Sequence, residues 1–105
     1  MKSFDQRVLD ITKKIPRGRV ATYKDIAEAL GTTAYRAVGQ ALRRNQHPKL
    51  FPCYKVVKSD GSIGGYNGSK AEHIKKKVRL LEKDGIPVRD GKIELEKHGW
   101  KPRKG

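Results

Sequence analysis

The sequence predicts a mainly α domain with a small β element, and three observations support this fold class. Apolar residues recur at helical spacing in several segments that open on a capping side chain or close on proline or glycine. Residues 54–57 (YKVV) form a short run of β-favouring type. The length of 105 residues suits one domain, and no internal repeat divides it. We therefore expect a single domain over residues 1–105, with a basic tail from about residue 91.

The first predicted helix begins after Ser3, which can cap it, and ends before Pro16, which cannot continue it. Its apolar residues recur at spacings of four, three and four and so share one stripe: Phe4, Val8, Ile11 and Ile15. Residues 17–19 (RGR) are typical of a turn, and Val20 and Ala21 predict a short extended segment.

Two short helices follow. Thr22 is a good N-cap for a helix over residues 23–30, and Gly31 is a typical stop after it. Thr33 can cap a second helix over residues 34 to about 45. This helix carries its arginines away from its apolar face: Arg36, Arg43 and Arg44. Two helices joined by a tight glycine-containing turn, with arginines on the second, indicate a helix-turn-helix.

The residue composition of the chain changes after His47. Residues 47–66 contain two prolines, the β-favouring run and several glycines, which predicts a strand or hairpin leading into a flexible loop. Ser69 and Glu72 form a capping box for a last long helix that ends at Gly85. That helix has an apolar stripe of Ile74, Val78 and Leu81. Three apolar residues can dock the tail on the body of the domain: Ile93, Leu95 and Trp100.

The charge indicates a polyanionic partner. Lys and Arg number 25 against 11 Asp and Glu, which gives a formal net charge of +14 and exceeds what solubility alone requires. Nucleic acid is the first candidate, although an anionic membrane or an acidic protein would also be attracted. The sequence has no apolar run near the roughly 18 residues that span a bilayer, and no signal peptide. We expect a cytoplasmic protein, nucleoid-associated in a prokaryote, that does not bind membranes.

The cysteine and histidine content excludes several kinds of site. Cys53 is the single cysteine, so the chain can form neither an internal disulfide, nor a Cys-x-x-Cys pair, nor a cysteine-rich zinc site. The histidines are widely spaced and lack a metal-ligand pattern: His47, His73 and His98. We expect no bound metal.

The central third of the chain carries a specific motif. Residues 36–45 (RAVGQALRRN), a short spacer and residues 51–57 (FPCYKVV) resemble the signature of the O6-alkylguanine-DNA alkyltransferases, also called methylated-DNA--protein-cysteine methyltransferases. The similarity extends upstream to residues 18–23 and downstream through residues 61–66 and 80–85, so it covers most of the sequence.

The resemblance implies a winged helix-turn-helix that places its second helix in the minor groove of duplex DNA and flips an alkylated guanine out of the stack. Arg36 would occupy the space of the flipped base, Tyr23 would contact the target phosphate, and Gly39 would let the helix lie close to the DNA backbone. The other residues carried over as DNA contacts are Thr22, Ala37, Arg43 and Lys55.

The resemblance also implies a reaction centre. Cys53 would accept the alkyl group without a cofactor, and each molecule would react once because a thioether does not hydrolyse. Asn45 would brace the turn before the cysteine segment. Tyr66 and Asn67 would lie in the loop over the base, and Val56 would complete the pocket. We expect a monomer, because no apolar surplus suggests a dimer surface.

Simpler interpretations of the same residues exist. A lone cysteine between a proline and an apolar run is usually a small buried hydrophobe. Arg36 could be an ordinary phosphate contact, and Gly39 a helical glycine tolerated at a packing crossing. Tyr23 and Tyr66 could be packing residues, and without the motif each of these interpretations stands beside the functional one.

The sequence departs from the family pattern beside the cysteine. A free thiol has a pKa near 8.5, which leaves about 3% thiolate at pH 7. Family members activate it through a following histidine oriented by a glutamate, but here Tyr54 and Asp84 stand in those positions. Tyrosine is a poor proton acceptor at neutral pH. Activation would have to come from Lys55, from the surrounding positive field or from a helix N-terminus.

Three functions follow, in this order. The first is irreversible alkyl transfer from guanine O6 to Cys53. The second is a non-catalytic lesion-binding protein, similar to the alkyltransferase-like proteins, which flags O6-alkylguanine for the proteins of nucleotide excision repair. The third is a helix-turn-helix regulator, which would need a dimer surface for palindromic sites.

Overall fold

Three helices enclose the first of two apolar clusters. The computed structural model describes residues 2–47, 49–63 and 71–102, without the side chains of residues 71–73. In this part of the chain α1 (Phe4–Lys13), α2 (Tyr23–Ala29) and α3 (Tyr35–Arg43) pack on one another. Their buried side chains and those of the neighbouring strands form this cluster: Val8, Ile15, Ala21, Ile26, Ala27, Val38, Ala41, Leu42 and Val56.

A short parallel sheet joins the helices to the second cluster. Strand β1 (Ala21–Thr22) pairs with β2 (Val56–Val57), with Ala21 opposite Val56 and Thr22 opposite Val57. Because successive side chains of a strand point to opposite faces, Val56 lies in the first cluster and Val57 in the second. Helices α2 and α3 form the crossover that a parallel pair requires.

The second cluster lies between α4 (Ala71–Lys83) and the C-terminal segment. It contains Val20, Val57, Ile63, Leu81, Ile86 and Ile93. A one-turn helix, α5 (Leu95–His98), follows and ends at Gly99. The chain then runs beside β1, since Val20 N donates to His98 O at 2.7 Å and Trp100 N donates to Val20 O at 2.8 Å.

The segment after β2 folds against the C-terminal segment. Ile63 N donates to Gly91 O at 3.0 Å, and Ile93 N donates to Gly61 O at 2.9 Å. Gly61 has φ +87°, and a Cβ there would lie 2.5 Å from Ile93 O, so this close approach requires glycine.

The mainly α fold with a small β element is confirmed. Ser3 Oγ accepts a hydrogen bond from Gln6 N at 3.1 Å and Thr22 Oγ1 accepts one from Asp25 N at 3.0 Å, so both expected caps are present. Gly31 follows α2 with φ +75°, as its role of helix stop requires. The expected docking of the tail is also confirmed, by contacts of Ile93, Leu95 and Trp100 with the two clusters.

Other expectations were wrong in detail. Ala34, not Thr33, is the N-cap of α3, because the neighbouring Thr32 Oγ1 accepts from Ala34 N and Thr33 O accepts from Tyr35 N. The expected strand over residues 54–57 is a 3₁₀ turn (Cys53–Lys55) followed by β2. Helix α5 was not predicted. Ser69 of the capping box lies outside the described residues.

None of the helices in the ranges that the structure covers has the length and apolar character needed to cross a bilayer.

Candidate active site and DNA-contact surface

Cys53 opens the 3₁₀ turn that leads into β2. Cys53 N donates to Phe51 O at 2.8 Å, and Lys55 N donates to Pro52 O at 3.0 Å, so the backbone of this turn is held on both sides of the thiol. The side chain is half-buried and packs against the first apolar cluster. Cys53 is therefore a free thiol at the edge of the core, in contact with both the interior and the surface.

Asn45 ties the end of α3 to the cysteine turn. Its Nδ2 donates to Phe51 O at 2.8 Å, and its Oδ1 accepts from His47 N at 2.9 Å. Phe51 O thus receives hydrogen bonds from both Asn45 and Cys53 N. These bonds fix the position of the turn relative to α3.

Lys55 belongs to the interior, so its expected role as a DNA contact is wrong. The side chain is 4% exposed. Its Nζ lies 2.9 Å from Asp84 Oδ2 and donates to Pro16 O at 2.6 Å. The Asp84 carboxylate compensates the positive charge of Lys55, so Lys55 is also a weak candidate for activating the Cys53 thiol. Sequence alone did not reveal this, because the partners lie far away along the chain.

Asp84 holds the cysteine turn rather than orienting a base. Besides Lys55 it accepts a hydrogen bond from Gly18 N at 3.0 Å. Burial raises the pKa of Asp84, but the Gly18 hydrogen bond and the Lys55 ion pair outweigh it and hold the pKa below its usual range. The carboxylate therefore joins α4, the turn after α1 and the cysteine turn.

Tyr54 cannot replace the missing histidine as a base. Its ring is half-buried against the second cluster. Burial, followed by the charges of Asp84 and Cys53, raises the pKa of its phenol above the usual value. The phenol is thus already protonated near neutral pH and does not act as a proton acceptor.

Lys77 was missed by the sequence analysis. Its side chain is 5% exposed and its Nζ donates to Val56 O at 2.9 Å. Burial lowers the pKa of Lys77 to about 8, against the opposing effect of the Cys53 charge. A signal was present, because Lys77 lies three residues after Ile74 and four before Leu81 and so falls on the apolar stripe of its helix.

Tyr23 begins α2 beside the reaction centre. Its ring packs on the first cluster, and burial, followed by the charge of Cys53, raises the pKa of its phenol to about 12. Thr22, just before it, is 6% exposed and uses its hydroxyl to cap α2. The expected DNA contact of Thr22 stays a prediction.

The outer face of α3 carries the remaining candidates. Arg36 and Arg43 are exposed, and Ala37 and Gly39 are half-buried. A Cβ added at Gly39 would meet nothing within 4 Å. A packing crossing therefore does not explain the glycine within the described residues, and its helix face is open to an external partner.

The expected base pocket is only partly described. The Val56 side chain is fully buried in the first cluster, and the expected place of Val56 in the pocket stays a prediction. Tyr66 and Asn67 lie outside the described residues. No group of three or more potential metal ligands occurs in the ranges covered by the structure.

Comparison with known proteins agrees with this arrangement. Residues 3–86 match the family model for the DNA-binding domain of 6-O-methylguanine DNA methyltransferase. Over 101 residues the chain is 46% identical to the bifunctional methyltransferase/endonuclease of Picrophilus torridus, covering 93% of this chain and 33% of that protein. It is 43% identical over 85 residues to the methylated-DNA--protein-cysteine methyltransferase of Methanothermobacter thermautotrophicus, covering 81% and 46%. The chain thus spans a third to a half of these relatives.

A solved structure matches over nearly the whole chain. The crystal structure of S. pombe Atl1 in complex with damaged DNA containing O6-carboxymethylguanine superposes with a TM-score of 0.84 at 30% identity, covering 97% of this chain and 100% of that one. The helix-turn-helix architecture expected from the sequence is that of the alkyltransferase DNA-binding domain. The chain therefore belongs to the 6-O-methylguanine DNA methyltransferase family.

Proposed function

We propose that this protein repairs DNA by transferring the alkyl group of O6-alkylguanine to Cys53. The observation that carries the proposal is the free Cys53 thiol, held by backbone hydrogen bonds at the edge of the core, in a chain of this family. A buried structural cysteine would need neither that exposure nor the bracing by Asn45.

Duplex DNA would bind through α3 in the minor groove. The open face around Gly39 supports close approach of the DNA backbone, and the exposed Arg36 is free to enter the stack when a base leaves it. Extruding a base costs a few kcal/mol, which the net charge of +14 helps to offset by attracting the phosphates. We propose a monomer that acts in the compartment holding the DNA.

The proposed step is an in-line displacement. The Cys53 sulfur attacks the alkyl carbon, the bond from that carbon to guanine O6 breaks, and its electron pair passes to the guanine. The thiol loses its proton and the guanine gains one, so the reaction is balanced without a cofactor. The product is a thioether, so each molecule reacts once.

A second function has an observation in its favour. Tyr54 provides no base beside Cys53, and the match to Atl1 extends over all of that chain. Under this alternative the protein binds O6-alkylguanine without repairing it and presents it to nucleotide excision repair proteins.

Intact-mass measurement after incubation with an O6-methylguanine duplex separates the two functions. The proposal expects one added methyl group on Cys53, slow transfer at pH 7 and faster transfer as the pH rises, because the thiolate is the reactive form. Tyr54→His should raise the neutral-pH rate, since it places a histidine, the residue that family members use as general base, beside the thiol.

Cys53→Ser is the matched control. It should abolish transfer and leave lesion binding near normal, because the two side chains are similar in size. Tight binding of the lesion without methyl transfer at any pH, by both the wild type and Tyr54→His, would establish the lesion-binding function instead.

A further inference from the structure

Lys77 lies on the apolar face of α4, the helix that packs against the cysteine turn. Its neighbours along that face, Ile74, Val78 and Leu81, are apolar and contribute to the second cluster. Lys77 Nζ donates to Val56 O, three residues beyond Cys53 in the chain. An amine has thus been placed in the interior, next to the segment that carries the nucleophile.

The burial of this amine needs an explanation. Transferring an ammonium group from water into the interior is costly, and a side chain of similar volume such as methionine would fill the same space without that cost. Burial lowers the pKa of Lys77 to about 8, so about a tenth of the molecules carry a neutral amine at pH 7. The amine can therefore accept a proton under physiological conditions.

Among the side chains that the structure describes, which do not include His73, the other titratable groups near Cys53 are poor proton acceptors. Tyr54 on the same turn and Tyr23 on α2 are phenols whose pKa values are raised, so both are already protonated. Lys55 is bound in its ion pair with Asp84, and that ion pair lowers the pKa of Asp84, which makes it a weak base. Lys77 is the member of this group whose proton affinity is displaced toward neutrality.

We propose that the ε-amine of Lys77 takes the proton of the Cys53 thiol, in place of the histidine that family members carry at the position of Tyr54. The inference rests on the proposed alkyl transfer. The S–H bond breaks, its electron pair stays on sulfur, and the proton moves to Lys77 directly or through one water. The thiolate then attacks the alkyl carbon, and the guanine anion that leaves takes up one proton. Lys77 releases its proton in turn, so the balance closes.

The test measures ionisation of the thiol apart from DNA. The rate of Cys53 alkylation by iodoacetamide is followed against pH for the wild type, Lys77→Gln and Lys77→Met. The proposal expects each variant to lose at least about tenfold in rate at pH 7 and to recover it at higher pH, where the thiol ionises unaided. Methyl transfer from an O6-methylguanine duplex should fall in parallel. The exposed Lys75→Gln has the same change of charge on the same helix and should leave the thiol profile unchanged.

A second measurement leaves Lys77 in place. Selective labelling of lysine allows its titration to be followed by NMR in the wild type and in Cys53→Ser. Because the charge of Cys53 raises the pKa of Lys77, removing the thiol should move the Lys77 titration to lower pH. Identical iodoacetamide profiles in the Lys77 variants, or an unmoved Lys77 titration in Cys53→Ser, would overturn the proposal. A wild type that fails to transfer methyl, with both thiol measurements as expected, would refute alkyl transfer and leave the amine–thiol coupling standing.

Discussion

Two lysines lie in the interior. Lys55 Nζ lies 2.9 Å from Asp84 Oδ2, and one contact of Lys77 Nζ is its hydrogen bond to Val56 O. A carboxylate stabilises an ammonium strongly, because it carries a full opposite charge. The pair of Lys55 with Asp84 is therefore structural.

Replacing Asp84 tests the structural pair. Asp84→Asn leaves the Lys55 ammonium buried without a counter-charge and should lower the free energy of unfolding by about 3 kcal/mol at pH 7. Urea denaturation measures this loss. The control is Asp5→Asn, which breaks the surface ion pair with Arg44 and should leave the denaturation midpoint almost unchanged.

The pH dependence of this effect has a definite sign. The pKa of Asp84 is lowered in the folded state, so its stabilisation is present above the unfolded value of about 3.9 and is lost as the pH falls through the folded value. The difference between the wild type and Asp84→Asn should narrow below pH 4. A difference independent of pH would show that the loss comes from packing rather than from charge.

At the scale of elements, helices were predicted better than the segments between them. A helix is encoded locally: Ser3 and Thr22 cap their helices through the hydroxyl contacts expected from the sequence. The cysteine turn is encoded at a distance. Asn45 donates to Phe51 O and Lys55 Nζ donates to Pro16 O, and these bonds hold the turn. Residues 54 and 55, which were expected in a strand, therefore lie in a 3₁₀ turn.

The residues of the candidate active site were also predicted only in part. Cys53 and Asn45 were recognised from motif spacing, and the structure places both at the same turn. The burial of Lys55 was not foreseen, because lysine is seldom buried and its partners are distant in the sequence. The burial of Lys77 was missed although its position on the apolar stripe of α4 indicated it. The sequence also could not show that Asp84 forms an ion pair with Lys55.

Helix α3 provides a test in which stability and binding change in opposite directions. Gly39→Ala should stabilise the free protein by about 0.5–1 kcal/mol, since alanine favours helix and no atom of the described chain is close to the new methyl group. Affinity for duplex DNA should fall, because the methyl group would occupy the space proposed for the DNA backbone. Thermal unfolding and a binding titration measure the two effects.

Gly31→Ala is the matched control for this substitution. A Cβ there also meets nothing within 4 Å, but Gly31 has φ +75°, so this variant should lose stability and keep its DNA affinity. Unchanged DNA binding by Gly39→Ala would remove α3 from the proposed interface at this residue.

For the whole molecule, the excess of positive charge predicts salt-sensitive binding. The logarithm of the DNA association constant should fall linearly with the logarithm of salt concentration, with a slope of about −0.9 for each phosphate neutralised. Little preference for base sequence is expected, so undamaged duplexes of different sequence should show the same slope. A strong preference for one undamaged palindrome would indicate the regulator function.

Two adjacent arginines provide a test variant and a matched control for this measurement. Arg43 is exposed, whereas Arg44 is bound to Asp5 on α1 through Nε at 2.6 Å and a second nitrogen at 2.8 Å. Arg43→Ala should reduce the magnitude of the slope by about 0.9 if it contacts one phosphate. Arg44→Ala, with the same change of charge, should leave the slope unaltered.

The hydrogen bonds between Val20 and the C-terminal segment also determine the order in which the fold can be completed during synthesis. Residues 4–43 leave the ribosome before the C-terminal segment and contain all the apolar residues that α1, α2 and α3 supply to the first cluster. The hydrogen-bond partners of Val20 are His98 and Trp100, which are translated about 80 residues later. The nascent chain therefore carries an unpaired strand edge at Val20 until residues 98–100 emerge, and this edge closes after the three helices can already have packed.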